Sequence, residues 1–227
     1  MRTFICTLML VVVAASVGQA QLALKSKKDS ISYGIGYDIG RNFNNQGALV
    51  NVDALMRGFR DAYGGKQSTL PQDKTERLLQ DFSQEMMNKQ AERTRMQAEE
   101  NKKKGDAFLA ENKKKPGVVT LPSGLQYKIV TEGTGPKPSK DTTVVCHYRG
   151  TLIDGTEFDS SYKRGEPATF RVAQVIRGWQ EILQLMPVGS KWQVFVPSAL
   201  AYGERGAGER IGPNAALIFD IELVAIK

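Results

Sequence analysis

The fold is decided by five short segments, VVCHYRG (144–150), GTEFDSS (155–161), VIRGW (175–179), AYG (201–203) and LIFDIEL (217–223). They are rich in β-branched and aromatic residues, and turns with glycine or proline separate them, which is typical of short strands. Their aromatic side chains lie far apart along the chain and can meet only through folding (Tyr148, Phe158, Trp179, Tyr202, Phe219). The segments therefore predict a small sheet with one shared aromatic cluster.

The surrounding pattern predicts a twisted antiparallel sheet from residue 116 onward. Strands are expected over residues 126–130, 142–148, 168–172, 191–196 and 216–226. A short helix is expected to open at Val175 and Ile176 and to continue to Leu185. A sheet wrapped around one short helix leaves an apolar hollow between the two.

Residues 21–70 predict two short helices. The first repeats isoleucine every four residues beside three glycines, which places apolar side chains and bare backbone near one face (Ile31, Gly34, Ile35, Gly36, Ile39, Gly40). Each glycine costs a helix about 1 kcal/mol relative to alanine, so close packing of another helix is expected there. The second helix is predicted to begin at an Asn51 cap and to end at Gly64 and Gly65.

Residues 71–115 predict one long helix, because Gly105 is the only glycine and no proline follows Pro71. At 1.5 Å per residue it would extend about 65 Å. Its first half carries an apolar stripe, whereas residues 88–107 offer little beyond Met96 and alanines (stripe: Leu78, Leu79, Phe82, Met86, Met87). We expect the first half to pack and the second half to stand in solvent.

The predicted helical core is thin. Two short helices and half of a long one give about 65 residues, which is marginal for a domain standing alone. A second copy would bury the same apolar face twice, so a homodimer through residues 21–90 is expected. The alternative is a monomer in which the three helices fold back as a cap on the C-terminal domain.

Residues 1–20 predict a cleaved secretory signal. Arg2 precedes an apolar run, and Gly18 and Ala20 supply small residues before the cleavage point. The run is shorter than the about 20 apolar residues that span a bilayer. Cleavage would remove Cys6 and leave Cys146, which we expect to be a buried small hydrophobe rather than a nucleophile.

Composition and motif searches exclude several function classes. The formal net charge is +7, but lysines alternate with acidic residues on the long helix, which favours a solvated face over nucleic-acid binding. No Cys, His or acidic cluster has metal-ligand spacing. Residues 203–212 lack the ending of a phosphate loop. His147 is the only histidine, is expected in the core, and has no nucleophile elbow near it. The sequence thus predicts no cofactor, metal or nucleic-acid partner.

In order and spacing, the five segments resemble FKBP-type peptidyl-prolyl cis/trans isomerases over roughly residues 116–227. The stretches KGDAFLAEN (104–112), PGVV (116–119) and LPSGLQY (121–127) are similar to the junction of the macrophage infectivity potentiator-like group of Gram-negative bacteria. The resemblance implies an α+β chain: a helical dimerisation domain (21–70), a long connecting α-helix (71–115) and an FKBP-like antiparallel sheet wrapped around a short helix (116–227).

The resemblance also implies the site. Asp159, Tyr202 and Tyr148 correspond to its catalytic positions, with the Tyr202 hydroxyl bonding the substrate near the rotating amide. The remaining substrate-binding positions line the hollow between sheet and helix, with the Trp179 indole under the proline ring and the Ile176 amide donating to a substrate carbonyl (Phe158, Arg164, Val175, Ile176, Trp179, Ile211, Phe219). Phe170 is expected to belong to the core. Differences from the human-type domain at Ala168, Ala207 and Arg210 affect substrate preference and macrolide affinity.

The implied function is acceleration of X-Pro bond rotation in exported proteins, together with a folding-chaperone activity. The implied partners are proline-containing unfolded or exported polypeptides and macrolide ligands such as FK506 or rapamycin. The implied location is the periplasm, the outer membrane or the cell surface. The alternative is a non-catalytic chaperone or host-interaction protein that grips proline segments without turnover.

Overall fold

The computed structural model describes residues 24–227, so the predicted signal at residues 1–20 and Cys6 lie outside the described residues. The chain divides into two compact units, one up to Thr75 and one from Glu76 to Lys227. Within the described part, no helix is long and apolar enough to cross a membrane.

The first unit contains α1 (Lys27–Gln46) and α2 (Val52–Tyr63). A capping box starts α1, in which the Asp29 amide donates to Ser26 Oγ at 3.1 Å and the Ser26 amide donates to Asp29 Oδ2 at 3.0 Å. The predicted start and end of α2 are confirmed, since Asn51 Oδ1 accepts from the Ala54 amide at 3.0 Å and Gly64 ends the helix.

Neither helix of the first unit has a buried residue. Ile35 on α1 is 59% exposed and Phe59 on α2 is 61% exposed. A Cβ added at Gly34, Gly36 or Gly40 would meet no atom within 4 Å. The isoleucine and glycine face of α1 is therefore open in the single chain.

The long helix α3 spans Gln72–Asn112, close to its prediction. The apolar stripe of its first half is largely exposed in the single chain, as at Leu79. The expectation that the second half stands in solvent is wrong for its last turns, because Gly105 and Asn112 are buried against the sheet domain. The Phe108 ring also lies 6.0 Å from that of Phe195. Small and polar side chains make most of this contact, so the sequence has no apolar stripe there that would predict it.

The second unit is built on a seven-stranded antiparallel sheet. The strand order is β1-β2-β6-β7-β3-β4, and β5 also pairs with β3. The strands are β1 (Val118–Thr120), β2 (Gln126–Thr131), β3 (Thr143–Leu152), β4 (Glu157–Ser160), β5 (Ala168–Arg171), β6 (Lys191–Val196) and β7 (Leu217–Ile226). The predicted α+β class and the antiparallel sheet are confirmed.

Two helices accompany the sheet. The single turn α4 (Ser161–Arg164), which was not predicted, follows β4 and ends at Gly165 in the left-handed region. The helix α5 (Arg177–Leu183) buries Trp179, Ile182 and Leu183 beneath the sheet. It is shorter than predicted at both ends, because Val175 and Ile176 are extended and precede its first turn.

The core lies between the sheet and α5. It includes Cys146, which is 0% exposed, as predicted, and burial raises the pKa of this thiol to about 12. Trp192 on β6 is also buried, and its ring stacks on Tyr127 at 4.6 Å. His147 is only half-buried rather than in the core, because it points to the other face of β3, where its ring stacks on Tyr162 at 4.9 Å.

Candidate active site

Five aromatic rings form a basin on the α5 side of the sheet. Trp179 lies at its centre, 4% exposed, with the rings of Tyr148, Phe170 and Phe219 at 5.4, 5.4 and 5.3 Å. The Phe158 ring meets that of Phe219 at 5.6 Å. All four contacts are edge-on, the arrangement that aromatic quadrupoles favour. Phe170 is thus part of the basin as well as packed on the core.

The basin exists because β3 has a glycine near its C-terminal end. Gly150 is opposite Phe219 on β7 and opposite Asp159 on β4. A Cβ at Gly150 would lie 2.6 Å from two atoms of the Phe158 ring and 2.9 Å from the Phe219 ring. Sequence reasoning missed this residue, although a glycine inside a strand is a signal of close approach.

A polar group closes one edge of the basin. The Tyr148 hydroxyl donates a short hydrogen bond to Asp159 Oδ2. Arg164 on α4 donates from Nη1 to Asp159 Oδ1 at 2.6 Å and from Nη2 to the Tyr148 oxygen at 2.9 Å. The three side chains therefore hold one another in a closed ring of hydrogen bonds.

This group keeps Asp159 ionised and Tyr148 protonated. Partial burial opposes ionisation of Asp159, but the hydrogen bonds from Tyr148 and Arg164 and the Arg164 charge outweigh it and lower the pKa of this carboxyl. Burial, together with the hydrogen bond to Asp159, raises the pKa of Tyr148. At neutral pH the edge of the basin carries a fixed carboxylate.

Two hydrogen-bond donors at the site have no partner among residues 24–227. The Tyr202 hydroxyl is one, on a side chain that is 40% exposed. Burial and the nearby Asp159 charge raise its pKa, so it remains a donor. The backbone N–H of Ile176 is the other, just before α5. The side-chain Nε2 of Gln180 fixes this segment by donating to the Val175 carbonyl at 2.8 Å.

A cavity of about 520 Å³ opens beside the basin. Its lining includes the predicted residues Phe158, Asp159, Tyr202 and Ile211. It also includes residues 207–210, and Arg210 among them donates to the Phe158 carbonyl at 3.3 Å. Tyr148, Trp179 and Phe219 adjoin the cavity through ring contacts, and Arg164 does so through Asp159. Val175 and Ile176 do not line it and lie at the start of α5.

A second cavity of about 500 Å³ is lined mostly by charged side chains. Four of these charges pair internally, with Arg149 on Asp220 at 3.4 Å and Lys163 on Glu157 at 2.9 Å, and Lys191 lies over the Tyr162 ring. It contains none of the predicted site residues. Within residues 24–227 no group of His, Cys, Asp and Glu is arranged to hold a metal ion.

An aromatic basin with one fixed carboxylate and free donors suits a protein that binds an amide and changes its conformation. The comparisons with known proteins specify the class. Residues 135–224 match the family described as FKBP-type peptidyl-prolyl cis-trans isomerase, and residues 28–129 match its amino-terminal domain.

The chain is similar over most of its length to whole proteins of this class. It is 55% identical to "Outer membrane protein MIP" of Legionella longbeachae, covering 90% of this chain and 88% of that protein. It is 41% identical to "Peptidyl-prolyl cis-trans isomerase Mip" of Coxiella burnetii, covering 93% and 92%. The crystal structure of FkpA from Escherichia coli matches with a TM-score of 0.71 at 37% identity, covering 90% and 99%. The chain belongs to the FKBP-type peptidyl-prolyl cis-trans isomerases, in the macrophage infectivity potentiator-like group. It is an enzyme that accelerates rotation about X-Pro bonds.

Proposed function

We propose that the aromatic basin and its polar edge are the catalytic site. Asp159, Tyr202 and Tyr148 are assigned to catalysis, and the other assigned side chains bind substrate (Phe158, Arg164, Val175, Ile176, Trp179, Ile211, Phe219). The observation that carries the assignment is the Asp159 carboxylate, fixed by two donors, which shares the cavity with the unpaired Tyr202 hydroxyl.

The basin lowers the barrier by favouring the twisted amide over the planar one. Amide resonance sets a barrier of about 18–20 kcal/mol, and the planar amide is the more charge-separated form. Apolar rings around the proline disfavour this planar form. Trp179 supplies the floor, and Phe158 and Phe219 supply the wall. No bond is made or broken, so the reaction needs no nucleophile.

Hydrogen bonds then hold the substrate while its imide bond turns. The Tyr202 hydroxyl and the Ile176 N–H have no internal partner and are free to donate to substrate carbonyls. The Asp159 carboxylate remains ionised and fixed, so its field at the rotating bond needs no rearrangement of solvent. Arg164 and the Tyr148 hydroxyl keep it in place.

The assignment is tested by measuring cis-to-trans conversion of a short X-Pro peptide by the mature protein, with and without rapamycin. Asp159→Ala and Tyr202→Phe are each expected to lower kcat/KM, and rapamycin is expected to inhibit. Tyr162→Phe is a matched control, because it removes a hydroxyl that donates to Glu222 at 3.2 Å outside the basin. Wild-type rates in both site variants would refute the assignment and favour a pocket that grips proline segments without these groups.

The exposed helical face supports a homodimer through residues 21–90. Large apolar side chains are exposed on all three helices, on the isoleucine and glycine face of α1, the Phe59 side of α2 and the apolar stripe of α3. Contiguous exposed apolar surface marks a protein–protein interface. Glycines with open space beside them allow another helix to approach closely.

Sedimentation equilibrium of the mature protein tests the dimer. The wild type is expected at twice the chain mass, and Ile35→Glu is expected to shift it toward the monomer. Val119→Glu, at an exposed apolar residue of β1, is the matched control and is expected to remain dimeric. A monomeric wild type would favour the helical cap.

The clients are proline-containing polypeptides of the cell envelope, reached after export. The apolar run after Arg2 supports export, and one relative is called an outer membrane protein. N-terminal sequencing of the mature protein from a Gram-negative host is expected to begin at Gln21, with the protein in the periplasmic or outer-membrane fraction. A cytoplasmic protein beginning at Met1 would refute export.

A chaperone activity is supported by two basins in one dimer, which would hold a non-native chain at two points. The test is suppression of aggregation of an unfolded client by the mature protein and by its Tyr202→Phe variant. Suppression by both at equal concentrations is expected. Complete loss of suppression in the variant, while the client still binds the wild type, would show that holding depends on turnover.

A further inference from the structure

The loop between Tyr202 and β7, residues 203–216, forms one wall of the cavity. We call it the active-site loop. Two backbone hydrogen bonds join Ala207 and Ile211 within the loop, from the Ala207 N–H to the Ile211 carbonyl at 2.8 Å and from the Ile211 N–H to the Ala207 carbonyl at 3.2 Å. Gly206 has φ of 64°, and a Cβ there would lie 2.2 Å from the Ile211 oxygen. The loop is thus a defined structure that presents Ile211 to the cavity.

The opposite side of this loop rests on the long helix α3. Asn101 Nδ2 donates to the Pro213 carbonyl at 2.8 Å. A Cβ at Gly212 would lie 3.0 Å from the amide nitrogens of both Asn101 and Gln97. One turn later, a Cβ at Gly105 would lie 3.0 Å from that of Ala216. Residues 97, 101 and 105 share one face of α3, because they are spaced by four.

The Pro213 carbonyl depends on this contact. Pro213 is buried, and Asn101 is the one hydrogen-bond donor to its carbonyl among residues 24–227. A buried carbonyl that loses its donor is unfavourable unless the chain moves to find water. Ile211, which is two residues away and 7% exposed, would move with it.

The end of α3 is anchored independently of Asn101. Asn112 Nδ2 donates to Gln126 Oε1 at 3.0 Å, and Gln126 Nε2 donates to the Leu109 carbonyl at 2.9 Å. Phe108 adds a ring contact with Phe195. A change at Asn101 therefore leaves the helix docked and removes its hydrogen bond to the loop.

We propose that Asn101 is a positioning residue of the isomerase, which holds the active-site loop and, through it, the Ile211 wall of the substrate pocket. The inference rests on the proposed contact of Ile211 with substrate. On this proposal, residues 97–105 of the connecting helix support the active-site loop and so affect substrate binding.

The test uses the full mature protein with Asn101→Asp, which keeps the shape of the side chain and removes the donor. Loss of one hydrogen bond to a buried carbonyl predicts an about three- to tenfold rise in KM for an X-Pro peptide, with kcat changed less than twofold. Amide hydrogen exchange at Ala207 and Ile211 is expected to accelerate, while exchange in β3 and β7 stays slow. Asn88→Asp is the matched control, since Asn88 is exposed on the same helix and its side-chain oxygen accepts a hydrogen bond from Gln84.

Gly105→Ala is the second variant. It improves the helix propensity of α3 but pushes on Ala216, so a higher KM with undiminished helix content is expected. Ile211→Ala tests the underlying site assignment separately. If KM rises in Ile211→Ala but neither KM nor loop exchange changes in Asn101→Asp, the positioning role is refuted. If KM is unchanged in Ile211→Ala, the proposed contact of Ile211 with substrate fails, whatever Asn101 does. Losses in Asn101→Asp that merely follow a lower melting temperature would also refute the proposal.

Discussion

Replacing Tyr148 by phenylalanine removes one oxygen from the polar edge of the basin and leaves the ring in place. The side chain is 6% exposed and its ring packs edge-on against Trp179 and Phe170, so phenylalanine fills the same space. The hydroxyl makes two hydrogen bonds, one to Asp159 and one from Arg164, and both partners are charged. The variant therefore isolates this oxygen.

The size of the effect follows from the exposure of the partners. A hydrogen bond to a charged group is worth about 1.5–3 kcal/mol when it is buried. Asp159 and Arg164 have side chains that are 44% and 45% exposed, so water replaces much of what is lost. A residual of about 1 kcal/mol remains, which corresponds to a fall of about fivefold in kcat/KM if the transition state uses the fixed carboxylate.

The assay is a double-mutant cycle on kcat/KM with Tyr148→Phe, Asp159→Asn and the double variant. Because Tyr148→Phe removes this hydrogen bond and Asp159→Asn removes the charge of its acceptor, the two effects are expected to be non-additive by at least about 0.5 kcal/mol. Tyr162→Phe controls for loss of a tyrosine hydroxyl elsewhere. Strictly additive effects, or a Tyr148→Phe rate equal to that of the control, would refute the coupling.

Three further outcomes are expected. The pKa of Asp159 is lowered in the folded state, so its contribution to stability is present above about pH 4 and is lost as the pH falls through the folded-state pKa. The free energy of unfolding of the wild type should therefore depend more steeply on pH in acid than that of Asp159→Asn. Equal slopes would contradict this. Gly150→Ala places a Cβ 2.6 Å from the Phe158 ring and should lower kcat/KM as well as the melting temperature. Gly155→Ala, at a turn glycine with open space around it, is the comparison and should change the melting temperature alone. Cys146 should react with a thiol reagent only as fast as the sheet unfolds, because it is fully buried with a pKa of about 12; rapid labelling of the native protein would contradict the structure.

Much of the fold could be predicted because its signals are local. The cap at Asn51, the stop at Gly64 and the absence of breakers between Pro71 and Asn112 define the helices directly. The docking of the last turns of α3 could not be predicted in this way. Its contact face is made of Asn101, Gly105 and Asn112, and such residues look the same in sequence whether they meet water or a partner.

The candidate site, too, could be predicted only in part. The aromatic and acidic residues were assigned through resemblance, and the structure brings Tyr148, Asp159 and Trp179 into one basin. Gly150 was missed because its importance lies in what two distant rings require of it. The start of α5 was misplaced because Val175 and Ile176 were assigned to the helix, although β-branched side chains favour extended backbone. The Gln180 side chain stabilises this extended segment by donating to the Val175 carbonyl.

The two tryptophans give the protein a built-in optical reporter. Trp179 forms the floor of the basin, where its ring meets those of Tyr148, Phe170 and Phe219, whereas Trp192 is stacked on Tyr127 outside the basin. The indole nitrogens of both have no hydrogen-bond partner among the described residues. A molecule that settles on the basin changes the polarity around one emitter and leaves the other as a constant background. Ligand titrations can therefore be followed by intrinsic fluorescence without attaching a dye to the protein.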